Sequence, residues 1–115
     1  MNYRNLFSNI SYCGLVKSVK NDYHILEGPK HYVVLSTNHQ YKIVDKRAVA
    51  FVVRKLGGRT FVTVKQALDE CDGSKYFLNH FDILNALYIL AGTKQGRISK
   101  ISGNKLFFNI WKSAD

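Results

Sequence analysis

Between Lys94 and Lys112 the chain carries five cations, Lys94, Arg97, Lys100, Lys105 and Lys112, and no carboxylate. Cations set along β-prone segments suit one task above others, which is to hold the phosphates of a polyanion. A hairpin so charged repels itself, and each phosphate it met would release counterions from a nucleic-acid backbone. The segment divides into two runs, Arg97 to Ile101 and Lys105 to Ile110, around Ser102-Gly103-Asn104. Gly and Asn tolerate the positive φ that tight hairpin turns demand. Asn104 adds a small polar group at the tip. In the second run Leu106, Phe108 and Ile110 share one face, while Lys105, Phe107 and Asn109 share the other. In the first run Ile98 and Ile101 alternate imperfectly around Lys100. Lysines on a sheet edge also block edge-to-edge pairing, and that plainer role stays open.

A second basic block runs from Lys42 to Lys65, with seven cations against one acid, Asp45. Arg47 and Arg54, seven residues apart, share a helix face, and Lys55 sits beside it. They either line a phosphate backbone or form the wet face of an amphipathic helix. The segment His80 to Ala91 is different, because it has no Lys or Arg. Only Asn79, His80, Asn85 and Tyr88 could reach base edges from it. Phe81, Ile83, Leu84, Leu87, Tyr88, Ile89 and Leu90 make it apolar nearly all round, the mark of a helix covered on more than one side. The residues before Asp45 are too few to cover it fully and also form a sheet. Phe81, Ile83, Tyr88 and Ile89 are therefore expected to meet a second chain, in a homodimer or a hetero-oligomer.

These residues need elements to position them. Asn2 to Lys20 is irregular in pattern and reads as an arm or frayed element. Asp22 to Leu26 and Lys30 to Leu35 read as strands around the turn Glu27-Gly28-Pro29-Lys30. A second turn, Ser36 to His39, leads to a strand from Gln40 to Val44. Asp45 is placed to cap a helix with Ala48, Val49, Phe51, Val52 and Leu56 on its apolar side, stopped by Gly57-Gly58. Arg59 to Val62 is β-prone. Thr63, with Gln66 three residues on, has the spacing of a capping box for a second helix, through about Cys71 and ended by Asp72-Gly73. A third helix runs from Asn79 or His80 to Ala91, and Gly92 ends it.

From Asp45 onward the order is helix, short strand, helix, turn, helix, hairpin. That order resembles the winged helix-turn-helix family over residues 45–112, most specifically in ILNALYILAGTKQGRISKISGNKLFFNI. The resemblance implies a C-terminal winged helix (45–112), which with the N-terminal arm and antiparallel meander read above (1–44) makes an α+β chain of one domain, 1–115. It further implies a third helix in the major groove of double-stranded DNA, a wing on the backbone or minor groove, and a role as transcription regulator or accessory factor. In the alternative the chain is a winged-helix subunit of a larger DNA-associated complex, condensin-like or defensive, docked through the apolar third helix.

The totals agree with a basic binding protein. Seventeen Lys and Arg against eight Asp and Glu give a net charge of +9 over 115 residues. Such an excess favours a polyanionic partner, nucleic acid first. At 46% hydrophobic and 13% aromatic the chain has material for one core. Cys13 and Cys71 lie far apart and outside any Cys/His cluster, so they read as small buried or half-buried thiols rather than a disulfide framework or zinc site. No signal-peptide run and no stretch of membrane-spanning length occur, so a cytoplasmic or nucleoid-associated protein with no membrane contact is expected.

Catalytic signals are few. Lys30-His31 follows the Gly-Pro turn, and His24 and His39 lie near it in sequence. The order from Lys30 to Leu56 resembles small ribonuclease toxins with a double-stranded-RNA-binding-like fold, which implies metal-independent RNA cleavage. Glu27 to Lys30 is spaced ExxK, not the ExK of metal-dependent nucleases. Asp69, Glu70 and Asp72 lack the ligand ladder of a calcium loop. No P-loop, GxGxxG, GxSxG or HExxH is present, so no catalytic residue, cofactor or metal is expected.

Overall fold

Period-two alternation builds the first half of the fold. In β2 (Asp22–Glu27), β3 (His31–Ser36) and β4 (Tyr41–Asp45), the residues Ile25, Tyr32, Val34 and Val44 turn inward and are buried. Leu26 stands opposite Val33, and Val33 opposite Ile43, on the outward face. A further strand, β1 (Ser11–Lys17), pairs antiparallel with β2 and completes a four-stranded sheet in the order β1-β2-β3-β4. The computed structural model describes residues 9–71 and 75–113. The expected helix stop at Asp72-Gly73 and the first residues of the expected arm lie outside that range.

The second half is set by its caps. The Asp45 carboxylate accepts the Arg47 amide at 2.8 Å and starts α1 (Lys46–Leu56), whose buried stripe is Ala48, Val49, Val52 and Leu56. Gly58, at φ 88°, turns the chain away. Thr63 and Gln66 form both halves of a capping box at α2 (Val64–Glu70). Asn79 accepts the amides of Phe81 and Asp82 and starts α3 (His80–Gly92). The strands β5 (Val62–Thr63), β6 (Gly96–Ser102) and β7 (Lys105–Ile110) form a second antiparallel sheet, in the order β5-β7-β6.

Helix α3 is the centre of the molecule. It packs on α1, α2, β6 and every strand of the meander. Tyr88 joins the two sheets: its ring stacks on Tyr23 of β2 at 4.4 Å and meets Phe108 of β7 edge-on at 6.2 Å. Its hydroxyl lies 2.7 Å from Ser18 Oγ. At the other end of the contact, a Cβ on Gly92 would run into the Ile25 side chain, so only glycine lets helix and sheet approach so closely. Ile83, Leu87 and Ile89 are fully buried, and each such burial contributes about 1.5–3 kcal/mol. Ion pairs pin the meander to the helices: Lys46–Glu27 at 2.6 Å and Lys42–Asp82 at 3.7 Å.

Three expectations are corrected. The segment read as an arm is strand β1 from Ser11 on, and a β-bulge between Tyr12 and Gly14 breaks its alternation and hides it. Ile83, Tyr88 and Ile89 need no second chain to cover them, because the meander closes over α3 within the chain; only Phe81 of the four is exposed. The expected fold class, a meander joined to a C-terminal winged helix-turn-helix, gives way to a four-stranded meander, three helices and a separate three-stranded sheet. The physical reason lies in α3. A groove-reading helix must stand on a surface, and this one is enclosed between the meander and the hairpin.

Candidate nucleic-acid interface

The hairpin places its cations through an irregularity. Pairing runs Arg97↔Asn109 and Ile98↔Phe108, then skips Ser99, and resumes at Lys100↔Phe107. Directly opposed residues share a face, so the bulge brings Arg97 and Lys100, three apart in sequence, onto the side of Phe107 and Asn109. Ser99 closes the bulge by donating its hydroxyl to the Phe107 carbonyl at 3.1 Å. Lys105, opposite Ser102, joins the same side. The loop between them is only Gly103-Asn104, with Gly103 at φ 61°. The other side, with Leu106, Phe108 and Ile110, is the buried one.

Aromatic rings lie among these cations. Phe107 is half-buried, with the ammonium groups of Lys100 and Lys105 at 5.9 and 5.7 Å from its ring centre. Trp111, 45% exposed, follows directly after β7, where its amide donates to the Gln95 carbonyl at 2.9 Å. Phe61 precedes β5 and is 57% exposed. Its backbone has φ 53°, a left-handed conformation that bulky residues rarely adopt. The buried Asn109 holds it there, accepting the Phe61 amide with Oδ1 at 3.0 Å.

The expected binding residues divide into two groups. Arg97, Lys100, Asn104 and Lys105 lie on this face or its tip, and Lys94 is exposed between α3 and β6. Among the described residues none of these four cations makes an ion pair. His80 meets Asn104, Lys105 and Lys65 in a groove of about 320 Å³ between the hairpin tip and the starts of α2 and α3. Arg54 and Lys55 occupy the last turn of α1, each 5.7 Å from the Phe51 ring. Lys112 passes over Gly57 directly after them, so this turn adjoins the far end of β7.

The remaining residues stand elsewhere. Arg47 is bound to Asp45 at 2.7 Å, and the hydrogen bonds from its guanidinium and amide hold the Asp45 carboxyl down at about 2. Asn79 is occupied as a cap, and Asn85 donates to the Phe81 carbonyl at 2.8 Å beside the meander. Ile83, Tyr88 and Ile89 are core. Burial pushes the Tyr88 hydroxyl up to about 12.

Sequence reasoning missed Phe61, Trp111 and the role of Asn109. A left-handed phenylalanine has no sequence signature. The bulge did leave one, in the broken alternation of Ile98 and Ile101 around Lys100.

The histidines of the meander occupy three different positions. His24 lies mid-strand in β2 with Nδ1 2.9 Å from the Tyr12 hydroxyl, His31 opens β3 opposite Asp45, and His39 sits in the β3–β4 turn. Among the described residues no hydrogen bond joins any two of them. Cys13 and Cys71 are free thiols, and burial raises both above the usual cysteine value, with Glu27 adding to the effect at Cys13. Among the described residues no helix is long and apolar enough to cross a membrane.

No protein-family model matches the chain, and neither a curated protein nor a solved structure is significantly similar to it. The functional reading therefore rests on the chemistry of the face itself.

Proposed function

We propose that this chain is a non-enzymatic nucleic-acid-binding protein, a regulator or accessory factor, that meets its polymer with the outer face and tip of the β5-β7-β6 sheet. One observation carries the reading: the bulge at Ser99 gathers Arg97, Lys100 and Lys105 on one face, with no ion-pair partner among the described residues. Uncompensated cations close together repel, and phosphates relieve that repulsion while releasing counterions. The ion pairs of Lys42, Lys46, Arg47 and Arg59 with Asp82, Glu27, Asp45 and Glu70 sharpen the contrast, since those four cations are answered within the chain.

The test is affinity for nucleic acid, duplex and single-stranded, measured across salt concentration. The logarithm of affinity falls linearly with the logarithm of salt, by about 0.9 per phosphate neutralised on a duplex and about 0.7 on a single strand. A slope of two or more units is the expected result. No binding to either form at low salt overturns the proposal.

A further inference from the structure

We infer that the face on β5-β7-β6 prefers single-stranded nucleic acid, gripping the backbone with Arg97, Lys100 and Lys105 and stacking bases on Phe61, Phe107 and Trp111. This rests on the nucleic-acid reading above and narrows it. A duplex offers phosphates on its outside and keeps its base faces stacked within. Lysines alone suffice to meet that surface, and aromatic rings beside them gain little from it. A single strand exposes base faces, and every base has a π-surface that stacks on an aromatic side chain.

Two features of the face point to the strand. Phe61 and Trp111 are 57% and 45% exposed, although each ring left in water forgoes the burial that most large aromatics find. The second feature is the backbone of Phe61. At φ 53° a phenylalanine is strained, and glycine would adopt the same turn without cost. Asn109, 8% exposed, spends its side-chain oxygen on the Phe61 amide at 3.0 Å and so fixes the strained residue in place. The strained backbone, tied by the buried Asn109 side chain, holds an exposed ring in a fixed place at the edge of the sheet that carries the three cations, where it can serve as a stacking surface. Phe107 completes the surface at its centre, between Lys100 and Lys105.

The chain contains a single tryptophan, Trp111, so stacking there is directly visible. Full-length protein is titrated at about 0.1 M salt with a short oligothymidylate, with a mixed-sequence duplex of equal length and with inorganic polyphosphate, following Trp111 fluorescence and the anisotropy of labelled oligonucleotide. The strand is expected to quench Trp111 and bind about ten-fold tighter than the duplex, while polyphosphate leaves the fluorescence unchanged. Phe61→Ala is expected to weaken strand binding about ten-fold with the salt slope intact, since stacking carries no counterion release. Phe61→Gly relieves the left-handed strain and guards against misfolding: it should melt no lower than the parent and still lose the same affinity. Duplex binding as tight as strand binding, or strand binding that neither quenches Trp111 nor responds to Phe61→Gly, overturns the inference while leaving the nucleic-acid reading standing. No binding of either nucleic acid overturns both.

Discussion

The molecule has two exposed antiparallel sheet faces, and both show aromatic rings to solvent but differ in charge. The outward face of the meander carries His24, Leu26, Val33, Leu35, Tyr41 and Ile43, with no Lys, Arg, Asp or Glu at its middle. The outward face of β5-β7-β6 carries Arg97, Lys100 and Lys105 around Phe107. Both sheets rest on α3 with apolar inner faces, so the core does not distinguish them. The lesson is that a net charge of +9 is uninformative until it is placed. Lys46 and Lys42, between meander and helices, are answered by Glu27 and Asp82, whereas Arg97, Lys100 and Lys105 of the hairpin make no ion pair among the described residues.

The comparison breaks most visibly on the stability of the meander's two sides. Ile25 is fully buried against α3, and Ile25→Ala should cost about 2–5 kcal/mol in urea unfolding. Ile43, 55% exposed on the outward side of the same sheet, should cost under about 1 kcal/mol on the same change. Equal losses would mean that both sides are covered.

A smaller effect separates the two sheets in binding. Lys100→Ala combined with Lys105→Ala should weaken nucleic-acid affinity about ten-fold at moderate salt and flatten the log–log salt slope by about 1.4–1.8. Lys30→Ala, on the β2–β3 turn, should leave the slope where it was. Melting temperatures should move little in either case, because exposed charges contribute little to stability. If Lys30→Ala matters as much as the hairpin pair, the charge acts as a diffuse field and no face is special.

The smallest effect near neutral pH belongs to Tyr88, which joins the two sheets. Its hydroxyl is pushed by burial to about 12, above the usual tyrosine value of about 10. The folded state holds that proton more tightly than the unfolded state. Its contribution is therefore whole below about pH 10 and is lost as pH rises toward 12. Urea midpoints of the parent should fall more steeply across that window than those of Tyr88→Phe. A difference between the two that does not change with pH would contradict a buried hydroxyl at this position.

Much of the scaffold was legible because local rules agree with the fold. Asp45, the Thr63–Gln66 pair and Gly103 act as caps and turn as their residue types require. The third helix read as covered on several sides from its apolar circumference. What covers it was not legible, because β1 is disguised by its bulge and the meander therefore looked one strand too small. Of the site, the cations and Phe107 could be assigned to the hairpin. Their gathering on one face could not, since strict alternation puts Arg97 and Lys100 on opposite sides, and only the extra residue Ser99 reunites them. Phe61 depends on a contact with Asn109, 48 residues away, which no local pattern encodes.

The central claim is that nucleic acid lands on β5-β7-β6 and not on the meander. Titrating isotope-labelled protein with a short oligonucleotide and following backbone amide chemical shifts tests it residue by residue. The account predicts shifts confined to Phe61, to Arg97–Lys105, to Phe107 and Asn109, and to the Trp111 amide and indole, with Val33, Leu35 and Ile43 unmoved. Shifts centred on the outward face of the meander, with the hairpin silent, would contradict it.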